Sequence, residues 1–301
     1  MKILITGEHG QLGNELRRCL TTMEAEVGPI PEEYRDAEVD YIDYQVLDIS
    51  DADAVDAWYA EHGPYDLTIN CAAITNVDGC EQNEAAALHV NAMGAENIAR
   101  AAQACGGKVV HISTDYVFPG TNPVPRVETD TVAPISAYGR TKWEGEVLTR
   151  AACEKSFIVR TAWLYGYIGK NFVKTMLRLA RENGKISVVN DQMGNPTSAN
   201  DLAYEILKIA MTDDYGTYHC TNNGTCSWFD FACAIVDAAG IDCEKEGLSS
   251  AEYKKRFPQS ADRPAYSSLD NAHLAATVGD EMRPWQEALA TYMDRFEELA
   301  D

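Results

Sequence analysis

The chain has 301 residues, 46% hydrophobic and 24% charged, which suits a globular protein of one large domain or two that share an interface. Acidic residues outnumber basic ones 47 to 25, for a formal charge of −22, so nucleic acid and anionic membranes are poor partners. No apolar run approaches the roughly 20 residues of a membrane span, and the nine cysteines show neither zinc spacing nor a disulfide framework.

The first residues, Met1-Lys2-Ile3-Leu4-Ile5-Thr6, form an apolar strand too short for a signal peptide. With an odd number of cysteines, this points to a reducing cytoplasm. The pattern predicts strands over 2–6, 39–43, 66–71, 108–113 and 156–162, with helices over 11–22, 51–62, 84–104 and 138–153 between them. The acidic stretch 24–38, with two prolines, reads as a surface loop that delays the second strand, and 119–134 as a Pro/Gly-rich loop. Such alternation makes a doubly wound parallel sheet of the Rossmann type, with helices on both faces. Beyond 162 the pattern changes to helices over 171–183, 200–211, 228–239 and 285–299 and a short strand over 186–189. The expected fold class is therefore α/β. A dinucleotide-binding domain spans 1–165, with returning segments from about 190–215, and a smaller C-terminal α/β substrate-binding lobe spans 166–301. Ligands of such folds sit at the carboxyl ends of the strands.

Gly7, Gly10 and Gly13 follow the first strand directly and open the first helix, spaced Gly-x2-Gly-x2-Gly. Such a turn presents backbone N–H groups to a pyrophosphate, and Gln11 and Leu12 lie within it. Asp43 ends the second strand, where a carboxylate accepts hydrogen bonds from the adenosine ribose and repels a 2′-phosphate. That favours NADH over NADPH as the cofactor. Asp48, beside Ile49, is placed either to hold the adenine amino group or to cap a turn. The small residues Cys71, Ala72 and Ala73 end the third strand where backbone passes close to the cofactor.

Tyr138 and Lys142 lie four residues apart, on one face of a helix. A phenol titrates near 10 when unperturbed, so a tyrosine acting as acid at neutral pH gains from a nearby cation. Thr114, at the end of the fourth strand in Ser113-Thr114-Asp115-Tyr116-Val117-Phe118, could hold a substrate carbonyl oxygen beside Tyr138. Together with the glycine turn these residues point to a carbonyl reductase.

Over nearly its whole length the chain resembles the extended short-chain dehydrogenase/reductases, and most closely the dTDP-4-dehydrorhamnose reductases. The resemblance runs through Thr6–Gly13, Asn70-Cys71-Ala72-Ala73, 112–118, 137–142, Arg160–Gly166, 171–176, 191–197 (Asp-Gln-Met-Gly-Asn-Pro-Thr) and 263–269. It implies that Thr114, Tyr138 and Lys142 form a catalytic triad. Hydride would then pass from NADH or NADPH to C4 of a 4-keto-6-deoxy sugar nucleotide. It further implies that Asp115, Tyr116 and Trp163 line the sugar pocket and that Arg263 binds the nucleotide diphosphate; by themselves, Trp163 could equally be core packing and Arg263 a surface ion pair. Some members of that family form a dimer bridged by magnesium through glutamates. Glu15 keeps one of those positions, but Asn200 stands at another, which argues against a metal-bridged dimer; a homodimer stays possible, and no metal is expected. Related dehydratases carry a Thr-Asp-Glu triple, and Tyr116 replaces that glutamate here. Two readings stay open beside the reductase: another nucleotide-sugar enzyme such as an epimerase, and a non-catalytic binding module like the regulatory subunit of methionine adenosyltransferase.

Overall fold

The computed structural model describes residues 1–299; the last two residues of the expected lobe lie outside the described residues. Six parallel strands form the central sheet: Lys2–Thr6, Glu38–Ile42, Leu67–Asn70, Lys108–Thr114, Ser156–Thr161 and Gly216–His219. Numbered along the chain, their spatial order is 2-1-3-4-5-6. The order of the strands reverses between the first and third, which opens a crevice at their carboxyl ends. The central strands are covered on both faces: all four residues of Leu67–Asn70 and all six of Ser156–Thr161 are buried.

On one face, helices Gln11–Thr22 and Ala199–Ala210 pack together, burying Leu12, Leu16, Leu202 and Ile206 with Ile3 and Ile5 of the first strand. On the other, Ala52–His62 and Ala95–Ala104 bury Val55, Ile98 and Ala102 with Leu4 and Val109, and Ala137–Ala152 packs beside them. A second core joins helices Phe172–Asn183, Trp228–Ala238 and Trp285–Asp294 through Val173, Leu177, Phe231, Ile235 and Tyr292. It is flanked by the parallel strand pair Lys185–Val189 and Glu244–Leu248. No helix among the described residues is long and apolar enough to cross a membrane.

Several elements differ from the sequence expectation. The helix expected over 84–104 is interrupted by a π-helical stretch, His89–Gly94, between Glu84–Leu88 and Ala95–Ala104. There Asn91 turns inward, accepting a hydrogen bond from Ile74 N at 2.8 Å and donating to Ile74 O at 3.0 Å and Thr141 Oγ1 at 3.1 Å. Such inserts often mark functional helices. The stretch 24–38 is not all loop: Glu24–Ala25 and Gly28–Pro29 pair as a short hairpin. The last helix stops at Asp294, with a further turn over Phe296–Leu299. The sixth sheet strand, Gly216–His219, escapes notice because Gly-Thr-Tyr-His carries no apolar run, although Tyr218 and His219 are fully buried.

One buried ion pair ties helix Ala137–Ala152 to the sheet. Arg160 of the fifth strand donates from Nε and Nη2 to the two oxygens of Glu146 at 2.9 and 2.8 Å. Ser113 of the fourth strand donates to the same carboxylate at 2.6 Å. Breaking a buried pair by removing one partner costs roughly 3–5 kcal/mol, because the other charge is left uncompensated. Glu146→Gln should therefore lower the unfolding free energy by about that much in urea titration. Exposed Arg178→Gln, whose pair with Glu182 lies on the surface, should change it by less than about 1 kcal/mol. Equal effects from the two variants would refute the anchoring role of Glu146.

Candidate active site

The carboxyl ends of the sheet strands open into a cleft of about 970 Å³. Its wall runs from Gly7, Gly10, Gln11, Leu12 and Gly13 through Asp43, Asp48 and Ile49 to Cys71, Ala72 and Ala73. It continues past Thr114, Asp115 and Tyr116 to Tyr138, Lys142 and Trp163. These residues, spread over some 160 positions of sequence, share one cavity. Arg263 alone among the expected site residues is not on its lining. Its guanidinium donates to Asp78 Oδ1 at 3.0 Å and to Ala261 O at 3.1 Å, tying the 261–263 segment to helix Val77–Gln82.

The glycine turn fits a dinucleotide. Gly7 has φ +70°, and a Cβ there would lie 2.9 Å from Ala72 N. A Cβ on Gly13 would lie 2.4 Å from Gly7 O, so only glycine lets the helix start this close to the strand. Helix Gln11–Thr22 begins on Gly10 with no side-chain cap and no acidic residue in its first turn. Its N–H groups and positive dipole end are therefore free for a phosphate. Gln11 uses its side chain elsewhere, accepting from Gly166 N at 2.9 Å and so joining the turn to the 164–166 segment.

Asp43 accepts hydrogen bonds from Tyr44 N at 2.6 Å, His9 N at 3.1 Å and the His9 ring at 2.9 Å. Burial alone would raise its pKa; these donors outweigh burial and hold the carboxyl below the usual range. Asp48 accepts from Ser50 N at 2.9 Å and Ser50 Oγ at 2.6 Å, the turn-capping geometry, while also facing the cleft.

Tyr138 sits in the first turn of helix Ala137–Ala152, which Ser136 caps by accepting from Gly139 N at 3.2 Å. A Cβ on Gly139 would lie 2.2 Å from Tyr116 O, so this glycine sets how near the Tyr138 turn approaches the fourth strand's end. The Tyr138 and Tyr116 rings meet edge to face, 5.8 Å between centroids. Burial raises the Tyr138 pKa, and a hydrogen bond with the Thr114 hydroxyl opposes that rise. A neutral, protonated phenol at working pH is what a proton donor requires. Lys142 is 2% exposed, and its pKa is pushed down to about 8, chiefly by burial, with Glu146 and Cys71 opposing. Its Nζ lies 3.4 Å from His111 Nε2.

Asp115 is fully buried, its pKa pushed up to about 7 by desolvation against the Ser267 and Thr114 hydroxyls. Its Oδ1 accepts from Thr114 Oγ1 at 2.9 Å, while Oδ2 and the nearby Thr161 Oγ1 have no partner. Two unsatisfied polar atoms on the cleft wall match what sugar hydroxyls would supply. Trp163 has φ +48° and is wedged between Gly194, where a Cβ would come within 2.5 Å of it, and Trp228. The two indoles stack 3.6 Å apart at 8°.

Sequence reasoning did not single out His9, His111, Glu146 or Trp228. Trp228 follows a Ser227/Asp230 capping box and reads as an ordinary helix start; only its stacking on Trp163 brings it to the cleft. His111 and Glu146 lie inside an apolar strand and an amphipathic helix, and their partners are distant in sequence.

The model of the family described as RmlD substrate binding domain matches residues 1–298. The spore coat polysaccharide biosynthesis protein SpsK of Bacillus subtilis is 37% identical over 100% of this chain and 99% of its own length. A solved dTDP-4-dehydrorhamnose reductase from Clostridium acetobutylicum superimposes with a TM-score of 0.90 at 45% identity, covering 99% of this chain and 100% of that one. The Bacillus anthracis dTDP-4-dehydrorhamnose reductase, solved in complex with NADP, gives 0.88 at 39% identity over 98% and 99% of the two chains. Agreement along the full length establishes that the chain belongs to the dTDP-4-dehydrorhamnose reductase family.

Proposed function

We propose that this protein reduces the C4 keto group of dTDP-4-dehydrorhamnose to give dTDP-rhamnose, with Tyr138 as proton donor. The observation that carries the reading is the meeting of Thr114, Tyr138 and Lys142 in one cleft with a glycine turn built for a dinucleotide. A nicotinamide cofactor, when bound, supplies the hydride. Gly7, Gly10, Gln11, Leu12 and Gly13 would hold its pyrophosphate, and Asp43, Asp48 and Ile49 its adenosine. Cys71, Ala72 and Ala73 would flank it.

Thr114 orients the carbonyl oxygen, Tyr138 gives that oxygen its proton, and Lys142 supplies the charge that readies Tyr138 for the next cycle. Asp115, Tyr116, Thr161 and Trp163 shape the sugar pocket. Arg263 would reach the diphosphate only by leaving Asp78, so its part is better read as holding the wall behind Tyr116. We further propose that residues 1–165, with about 190–215, form the cofactor unit and the remainder the substrate lobe. The nine cysteines, all free thiols, suit a cytoplasmic setting. NADH is the preferred cofactor on this reading, because the anionic Asp43 would repel a 2′-phosphate.

Tyr138→Phe should lower kcat by about 10²–10⁴-fold with dTDP-4-dehydrorhamnose and leave cofactor affinity within a few-fold, as read by fluorescence titration. Undiminished turnover would remove Tyr138 from the chemistry. Asp43→Asn should move the ratio of kcat/KM for NADPH over NADH upward by roughly tenfold, about 1.4 kcal/mol of lost repulsion. An unchanged ratio would mean that Asp43 does not read the ribose.

A further inference from the structure

Behind Lys142 the fold buries a line of polar groups to which the reductase reading assigns no part. Ala72 N–H donates to Thr6 Oγ1 at 3.2 Å, and Thr6 Oγ1 lies 2.7 Å from Asn70 Oδ1. Asn70 Nδ2 lies 3.3 Å from His111 Nδ1, and His111 Nε2 lies 3.4 Å from Lys142 Nζ. Thr6, Asn70, His111 and Lys142 are each 1–2% exposed, so water cannot complete their hydrogen bonds.

The direction of this chain follows from counting donors. A backbone N–H can only donate, so Thr6 Oγ1 accepts from Ala72 and must send its own proton onward to Asn70 Oδ1. With the amide oxygen so occupied, Asn70 presents its NH2 to His111. Reversing the amide would aim two donors at Thr6 and leave the threonine proton without an acceptor. Burial, and then the charges of Lys142 and Arg150, hold the His111 pKa far below its ordinary value, so the ring is neutral. A neutral imidazole that accepts at Nδ1 carries its proton on Nε2. That N–H points at Lys142 Nζ, which can pair with it only by offering a lone pair.

We propose that His111 is a positioning residue: the chain Ala72–Thr6–Asn70 fixes its ring with Nε2–H facing Lys142 and so biases Lys142 toward the uncharged amine. Gly145 makes the arrangement possible, since a Cβ there would lie 3.2 Å from His111 Nε2 and 2.2 Å from Asn91 O. The other groups around Lys142 act in known directions. Glu146 and the Cys71 thiol favour the ammonium, and Glu146 is itself paired with Arg160 and Arg150. An ammonium with a pKa of about 8 in place of 10.5 still carries its proton at neutral pH. It yields that proton more readily to the Tyr138 phenolate left after each reduction, and Lys142 then recovers one from solvent.

The inference rests on the proposed role of Lys142, and its test does not need turnover. Carbon-13-labelled lysine NMR, with Lys142→Met to assign the signal, reads the Lys142 titration in the whole protein. Asn70→Leu removes the amide without adding charge and frees the ring to place its proton on Nδ1. Asn70→Asp imposes that tautomer, and His111→Gln lets an amide oxygen face the amine. Each should raise the Lys142 midpoint, Asn70→Asp by about one pH unit or more, with the basic limb of the kcat/KM profile moving alike. Midpoints that stay at the wild-type value in folded variants would overturn the proposal, since a merely structural role costs stability without moving this titration. If the Asn70 variants fail to fold, His111→Gln decides alone. Wild-type protein that titrates as described yet never reduces the keto sugar would overturn the proposed function and leave the His111 assignment standing.

Discussion

Glu146 lies at 0% exposure with Arg160 in bidentate contact and the Ser113 hydroxyl on the same oxygen, and the geometry of the cleft hangs on that cluster. It fixes the helix that carries Tyr138 and Lys142 to the two strands whose ends carry Thr114 and Thr161. Two glycines complete the alignment by removing side chains where helix and neighbours touch, Gly139 against Tyr116 O and Gly145 against Asn91 O and His111. Buried charge is costly, and an apolar core would stabilise the fold as well. What the ion pair adds is registry: a bidentate contact allows one rotation and one height of the helix, and the proposed hydride and proton transfer would tolerate little else.

The cleft resolves a conflict set by composition. On the proposed function, a chain of formal charge −22 has to accept two anionic ligands. Among the described residues on the cleft wall the basic side chains are few, His9, His89, Lys142 and Lys170. The uncapped N-terminus of helix Gln11–Thr22 offers backbone dipoles that favour an anion without any net charge. Three carboxylates, Asp43, Asp48 and Asp115, also line the cleft, so the acidic balance of the chain is not confined to its outer surface.

Much of this was legible in the sequence. Three glycines after an apolar strand, a threonine ending the fourth strand and a tyrosine-lysine pair one turn apart on a helix mark backbone and chemistry that few other residues can supply. Local patterns also located the strand-helix alternation. What stayed hidden shares one cause: its meaning depends on partners remote in sequence. His111 reads as a polar intrusion in an apolar strand until Asn70 and Lys142 flank it. Trp228 reads as core until Trp163 stacks on it. Arg263 read either as a phosphate ligand or as a surface ion pair, and its partner Asp78, 185 positions away, could not be named from the sequence. Gly216–His219 became the sixth strand only because the fifth strand offered it an edge. Asn200 went the other way: substitution at a possible metal position was visible in sequence, and the structure gives it a partner, Asn200 Nδ2 donating to Glu15 Oε2 at 2.9 Å.

The central claim is that this cleft delivers hydride to C4 of the keto sugar. Its most direct measurement uses cofactor deuterated at the nicotinamide C4, incubated with dTDP-4-dehydrorhamnose, followed by NMR of the isolated sugar nucleotide. Deuterium at C4 of the sugar, in one configuration and matching the cofactor oxidised, is the predicted result. Unlabelled or unchanged sugar nucleotide from folded protein that binds the cofactor would contradict the account.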